Sequence, residues 1–97
     1  MNRLERTRLR LSIGGVVSLT SAAFQAKLAE LEEATDDIII DLSGVQAMDS
    51  AAIGALMRIR TRRERRGLGC WFEARLPGLR RILHAANARL TDAELAS

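Results

Sequence analysis

The sequence predicts an α/β fold: a mixed, mostly parallel sheet with helices packed against it. Residues 7–13 alternate apolar and polar, the period of a half-buried strand. An apolar, β-branched run, Ile38-Ile39-Ile40-Asp41-Leu42, lies between two segments whose apolar residues recur at helical spacing. Finally, Cys70–Ala74 reads as a further strand ahead of a Pro-initiated amphipathic stretch. Strands alternating with helices imply parallel neighbours joined by crossovers.

In the first strand Leu9, Leu11 and Ile13 share one side, and Arg8, Arg10 and Ser12 the other. Gly14-Gly15 interrupts it, and Val16-Val17 resumes it across a bulge or bend. Thr20-Ser21 offers an N-cap to a helix over 21–34, with Phe24, Leu28 and Leu31 inward and Gln25, Lys27, Glu30, Glu32 and Glu33 outward. Asp36-Asp37 ends that helix. The run 38–42, apolar at nearly every position, reads as a strand buried on both faces. After Ser43-Gly44 the chain turns through a loop over 43–50. A second helix, 51–66, then places Ala52, Ile53, Leu56, Met57 and Ile59 on its apolar side, and Gly67 stops it. The last helix, 78–88, carries Leu79, Ile82, Leu83 and Ala86. No closing strand is evident after it, and the tail from Thr91 is polar.

Ninety-seven residues suffice for one domain, spanning 1–97 with a core at about 7–90. Hydrophobic content of 47% with 28% charged residues is ordinary for a globular chain. No apolar run approaches the roughly 20 residues of a membrane span. MNRLERTRLRLS has no apolar stretch of the kind a secretory signal needs. A lone cysteine, Cys70, allows no internal disulfide. These features predict a cytoplasmic protein without direct membrane insertion. Net charge is +3, and Lys27 is the one lysine among 15 basic residues. Arg58, Arg60, Arg62, Arg63, Arg65 and Arg66 cluster on the second helix. They predict a solvated face, and they also raise the alternative of a basic nucleic-acid-binding module.

Enzyme chemistry finds little support. The G-x-S-x-G elbow is absent, and His84 has no assignable orienting acid, so no catalytic residue is expected. One histidine and one cysteine are too few for a metal centre. Neither a P-loop nor G-x-G-x-x-G occurs, and no cofactor is expected.

The stretch Gly44–Gly54 is different. Asp49-Ser50 stands where a strand-end loop enters a helix, the usual place for a site in an open α/β sheet. Ser50 reads as an N-cap of the second helix. Phosphate there would add about −1.5 to −2 charges beside Asp49, at a helix end whose free N–H groups favour anions. Ala51, Ala52 and Gly54 would let a partner approach closely.

The segment IIIDLSGVQAMDSAAIGALMRIRTRRERRGLGCWF resembles the signature of the STAS domain of bacterial anti-sigma factor antagonists. Asp41, Leu42, Ser43, Gly44, Val45, Met48, Asp49, Ser50, Ile53, Gly54 and Leu56 match it position by position. Ala52 replaces a frequent Gly, and Gly15-Val16-Val17-Ser18 replaces a Gly-acid-Leu-Asp pattern. The resemblance implies partner switching. Unphosphorylated protein would bind an anti-sigma factor that is also a serine kinase, phosphorylation of Ser50 would release it, and a serine phosphatase would reset it. On this view Ser18, Asp49, Ser50, Ala51, Ala52, Ile53, Gly54 and Met57 meet the partner. Short STAS proteins also serve as cytoplasmic subunits docked on the ATPase of lipid-transport ABC systems, which is the alternative.

Overall fold

The computed structural model describes residues 8–91. Thr7, expected to open the first strand, the tail after Thr91 and most of the N-terminal segment judged for a signal lie outside the described residues. The elements are β1 (Arg8–Ser12), β2 (Gly15–Val17), α1 (Ala22–Glu33), β3 (Asp37–Leu42), β4 (Val45–Met48), α2 (Ser50–Arg65), β5 (Cys70–Ala74), α3 (Pro77–Ala85) and β6 (Arg89–Leu90). A four-stranded sheet has the order β1-β3-β5-β6, and β2 pairs with β4 in a separate ribbon. The mostly parallel sheet expected from the sequence holds, and every pairing between described strands is parallel.

β1 and β2 run beside β3 and β4 through a shared kink. Gly15 N–H donates to Gly44 O at 2.9 Å, and the register shifts between Gly15 and Val16, as the expected bend requires. Glycine is needed at position 15, where φ is +78°, whereas a Cβ on Gly14 would make only ordinary contact with Gly44 O at 3.4 Å. The loop expected over 43–50 therefore contains a strand, β4. A turn precedes it, in which Asp41 Oδ1 accepts from Ser43 N–H at 2.9 Å and from Ser43 Oγ at 2.6 Å.

All three helices cover one face of the sheet. Leu11, Ile38, Ile40, Leu42, Cys70 and Phe72 form one core with Phe24, Leu28 and Leu31 of α1, Ala52, Ala55, Leu56 and Ile59 of α2, and Leu79 and Leu83 of α3. The other face carries Arg8 and Arg10, with Ile39, Asp41, Trp71 and Glu73 only half-buried. This corrects the expectation that 38–42 is covered on both sides: Ile38 and Ile40 are fully buried, whereas Ile39 is not. Polar contacts cover part of that face instead. Arg10 pairs with Glu73 at 2.8 Å and Asp41 at 3.1 Å, and the Arg8 guanidinium lies 4.2 Å from the centre of the Trp71 ring.

The helix ends follow the local chemistry. Ser21 caps α1 by accepting from Phe24 N–H. α2 ends in a Schellman motif, in which Leu68 N–H donates to Arg63 O and Gly67 N–H to Glu64 O, with Gly67 at φ +76°. α3 ends the same way on Asn87, at φ 58°, with Ala88 N–H donating to Leu83 O. Asn87 thus stops α3 at Ala85, before the expected 88, and releases the chain into β6, the closing strand that sequence patterning did not reveal.

The arginine cluster is not uniformly solvated. Arg63 is 1% exposed. Its Nη1 donates to Leu31 O and Ala34 O, both at 2.7 Å, and its Nη2 to Asp36 O. A helix leaves its last carbonyls without intrahelical partners, and this guanidinium supplies donors at the negative end of the α1 dipole. α2 is thereby tied to the α1–β3 junction.

Candidate functional site

β2 and β4 carry the site. Val17 pairs with Met48, so the chain leaves both strands side by side, one end leading into α1 and the other into α2. Asp49 N–H donates to Val17 O at 3.1 Å. The Asp49 carboxylate then serves two segments: Oδ1 accepts from Ala52 N–H at 2.7 Å, and Oδ2 from Leu19 N–H at 3.4 Å. Asp49 is therefore the N-cap of α2, and this corrects the expectation that Ser50 caps the helix. Ser50 is the first helical residue, exposed, and its hydroxyl has no protein partner among the described residues.

The remaining expected contacts divide. Ala51 is exposed, and Ile53, Gly54 and Met57 are half-buried along the same side of α2. Ala52 is wholly buried in the core, so its side chain is closed to any partner, contrary to the sequence expectation. At helical pitch residue 52 falls on the inward stripe with Ala55, Leu56 and Ile59. Ser18 lies at the end of β2, where its hydroxyl is 3.0 Å from Thr20 Oγ1 and accepts from Thr20 N–H at 3.3 Å. Gly54 is occupied from outside. A Cβ there would meet Arg58 Nη1 at 3.5 Å, so the Arg58 side chain lies back along the helix toward Ser50.

Val16 carries no signal in the sequence that would mark it as a surface residue of interest. It is 76% exposed, the most open of the large hydrophobic residues described, and it pairs in register with exposed Ala47. Val16 also lines a cavity with Ala23, Phe24 and Lys27 at the start of α1. Isolated exposed valines are common, and only the β2–β4 pairing, which joins positions far apart in sequence, puts this one in the ribbon that leads into α2.

The STAS domain profile matches residues 9–91. The chain belongs to the STAS domain family. Comparison with curated proteins gives no match. STAS domains mediate protein–protein interactions and are generally regulators without enzymatic activity. In this STAS domain the exposed end of α2 and the β2–β4 ribbon suit such contact, with small side chains around a free hydroxyl. No helix among the described residues is long and apolar enough to cross a membrane.

Two groups of the main sheet have shifted titration. Burial pushes the Asp41 carboxyl up, but hydrogen bonds from Ser43 and from Arg10 outweigh it and hold it below its ordinary value. Burial pushes the Cys70 thiol up to about 11 despite the Arg63 charge. Cys70 is fully buried, as expected of a structural thiol.

Proposed function

We propose that this STAS domain is an anti-sigma factor antagonist that works by partner switching, with Ser50 as its phosphorylated residue. In the unmodified state the surface of Ser50, Ala51, Ile53, Gly54 and Met57, joined by Val16 and Ser18, binds an anti-sigma factor that is also a serine kinase. The kinase transfers phosphate from ATP to Ser50 Oγ, the hydroxyl proton is lost, and ADP leaves. A serine phosphatase hydrolyses the ester and restores binding.

The observation that supports this reading is the division of labour at residues 49 and 50. Asp49 does the capping, while the Ser50 hydroxyl is exposed and uncommitted. Modification therefore need not break a bond that holds α2. The added phosphate lies at the positive end of the helix dipole, where the fold can accept it, but it also lies beside the Asp49 carboxylate at the centre of the proposed interface. Desolvating that much like charge on binding costs several kcal/mol, and about 3 kcal/mol weakens binding more than a hundredfold.

Intact-mass analysis of protein from its native host, with the site mapped by peptide sequencing, tests this. A single phosphate on Ser50, lost on phosphatase treatment, is the expected result. Phosphate confined to another residue would remove the reading. Ser50→Ala is expected to leave stability within about 0.5 kcal/mol, whereas Asp49→Ala loses about 1 kcal/mol with the cap.

A further inference from the structure

Beyond Ser50, the outer face of α2 forms a shallow groove of about 300 Å³ lined by Met57, Arg58, Thr61, Arg62 and Arg65. Its floor is largely apolar. Met57 packs partly into the core, and Thr61 turns its hydroxyl inward to donate to Met57 O at 3.0 Å, leaving its methyl group for the surface. Four of the six arginines in the cluster are already engaged. Arg60 pairs with Glu64 at 3.8 Å, Arg62 pairs with Glu32, Arg63 is buried on carbonyls, and Arg66 donates to Glu32 O. Arg58 and Arg65 have no hydrogen-bond or ion-pair partner among the described residues. Seven residues separate them, which puts their helix positions about 10 Å apart along one side of α2.

We infer that this groove docks an acidic amphipathic helix of a protein partner: two carboxylates, about two turns apart, meet Arg58 and Arg65, and an apolar side chain between them fills the space over Met57 and Thr61. Helix-in-groove recognition of this kind takes its specificity from such spaced anchors. A pair of uncommitted guanidiniums suits two carboxylates. A nucleic-acid backbone would call on a longer row of free cations, and here Glu32 and Glu64 neutralise part of the row. The inference rests on the reading of α2 as a partner-facing helix, and it requires no modification of Ser50.

The test uses a synthetic amphipathic helical peptide with two Glu seven positions apart and Leu residues between them, titrated into 15N-labelled protein at 150 mM salt. Expected are amide shifts centred on Met57, Thr61 and their neighbours. Affinity should fall at least tenfold for Arg58→Glu with Arg65→Glu, and change little for Arg81→Ala, an exposed position on α3 outside the groove. Circular dichroism should show all variants folded, since the altered side chains are exposed. Equal binding by the peptide with Gln in place of Glu would overturn the inference. So would shifts centred elsewhere, or tighter binding of a 20-mer oligonucleotide to the same face. The peptide need not contact Ser50, so a failure here and a failure to find phosphate on Ser50 are separate results.

Discussion

Arg63→Met is the substitution that most sharply tests how α2 is held. Methionine fills much of the arginine's volume but cannot donate to the carbonyls of Leu31, Ala34 and Asp36, which the guanidinium now satisfies. Leaving a buried acceptor without a donor costs about 1–3 kcal/mol. With three acceptors, and some water entering, the expected loss is about 3–5 kcal/mol. A chain of this length has only about 5–15 kcal/mol in total. Replacing a buried ionic group by an apolar one can be neutral when all its partners are replaced too, but backbone carbonyls cannot be removed. Urea unfolding followed by Trp71 fluorescence measures the effect. At a slope of about 1–2 kcal/mol/M the midpoint should fall by at least about 1.5 M. Arg63→Lys should recover part of the loss, because one ammonium cannot span acceptors now served by two guanidinium nitrogens. Arg65→Ala, on the exposed side, should stay within about 0.5 kcal/mol. A loss below about 1 kcal/mol for Arg63→Met, indistinguishable from Arg65→Ala, would mean that the three carbonyls do not depend on this guanidinium.

Other expectations follow from the same contacts. Ile40→Asp should destabilise by at least about 3 kcal/mol, since it buries a carboxyl among apolar neighbours, while Ile39→Asp, on the half-covered face, should cost clearly less; equal losses in urea would mean that both faces are packed. Cys70 should resist a thiol reagent at pH 8 in the native protein and react once unfolded, because its thiol is buried and its pKa is pushed up to about 11; rapid stoichiometric native labelling would contradict this. Asp41 has a folded pKa below its unfolded value of about 3.9, so its contribution is present above about pH 4 and is lost as pH falls through the folded value. Asp41→Asn should accordingly flatten the acid limb of stability between about pH 5 and 2, and parallel curves for the two proteins would exclude that role.

Much of the architecture was legible in the sequence because it rests on local periodicity. The alternation of 7–13, the helical spacing of Phe24, Leu28 and Leu31, and Gly67 as a stop each report a nearby constraint. What stayed hidden depends on distant partners. β4 is four residues long with Gln46 and Ala47 exposed, so its identity as a strand comes from β2 and not from its own pattern. β6 has two residues, and Asn87, which can adopt the left-handed turn ahead of it, was its one local signal. Arg63 reads as one more charge until the end of α1 is seen to need donors. Ile39 reads like its neighbours because composition does not say how many faces a sheet has covered. At the candidate site the sequence pattern placed Asp49-Ser50 at the entry to α2, but the one-residue question of whether Asp49 or Ser50 caps the helix lay beyond it.

That one-residue difference leaves the Ser50 hydroxyl uncommitted, and the most direct measurement of the proposed switch is partner binding as a function of the state of Ser50. The cognate anti-sigma kinase should be titrated, by calorimetry or fluorescence, against unmodified protein, Ser50→Ala, Ser50→Asp and protein phosphorylated on Ser50. Similar affinities are expected for the first two and at least about a hundredfold loss for the phosphorylated form, with Ser50→Asp weakened in the same direction and all four equally folded. Phosphorylated protein that binds the kinase as tightly as the unmodified form would contradict it.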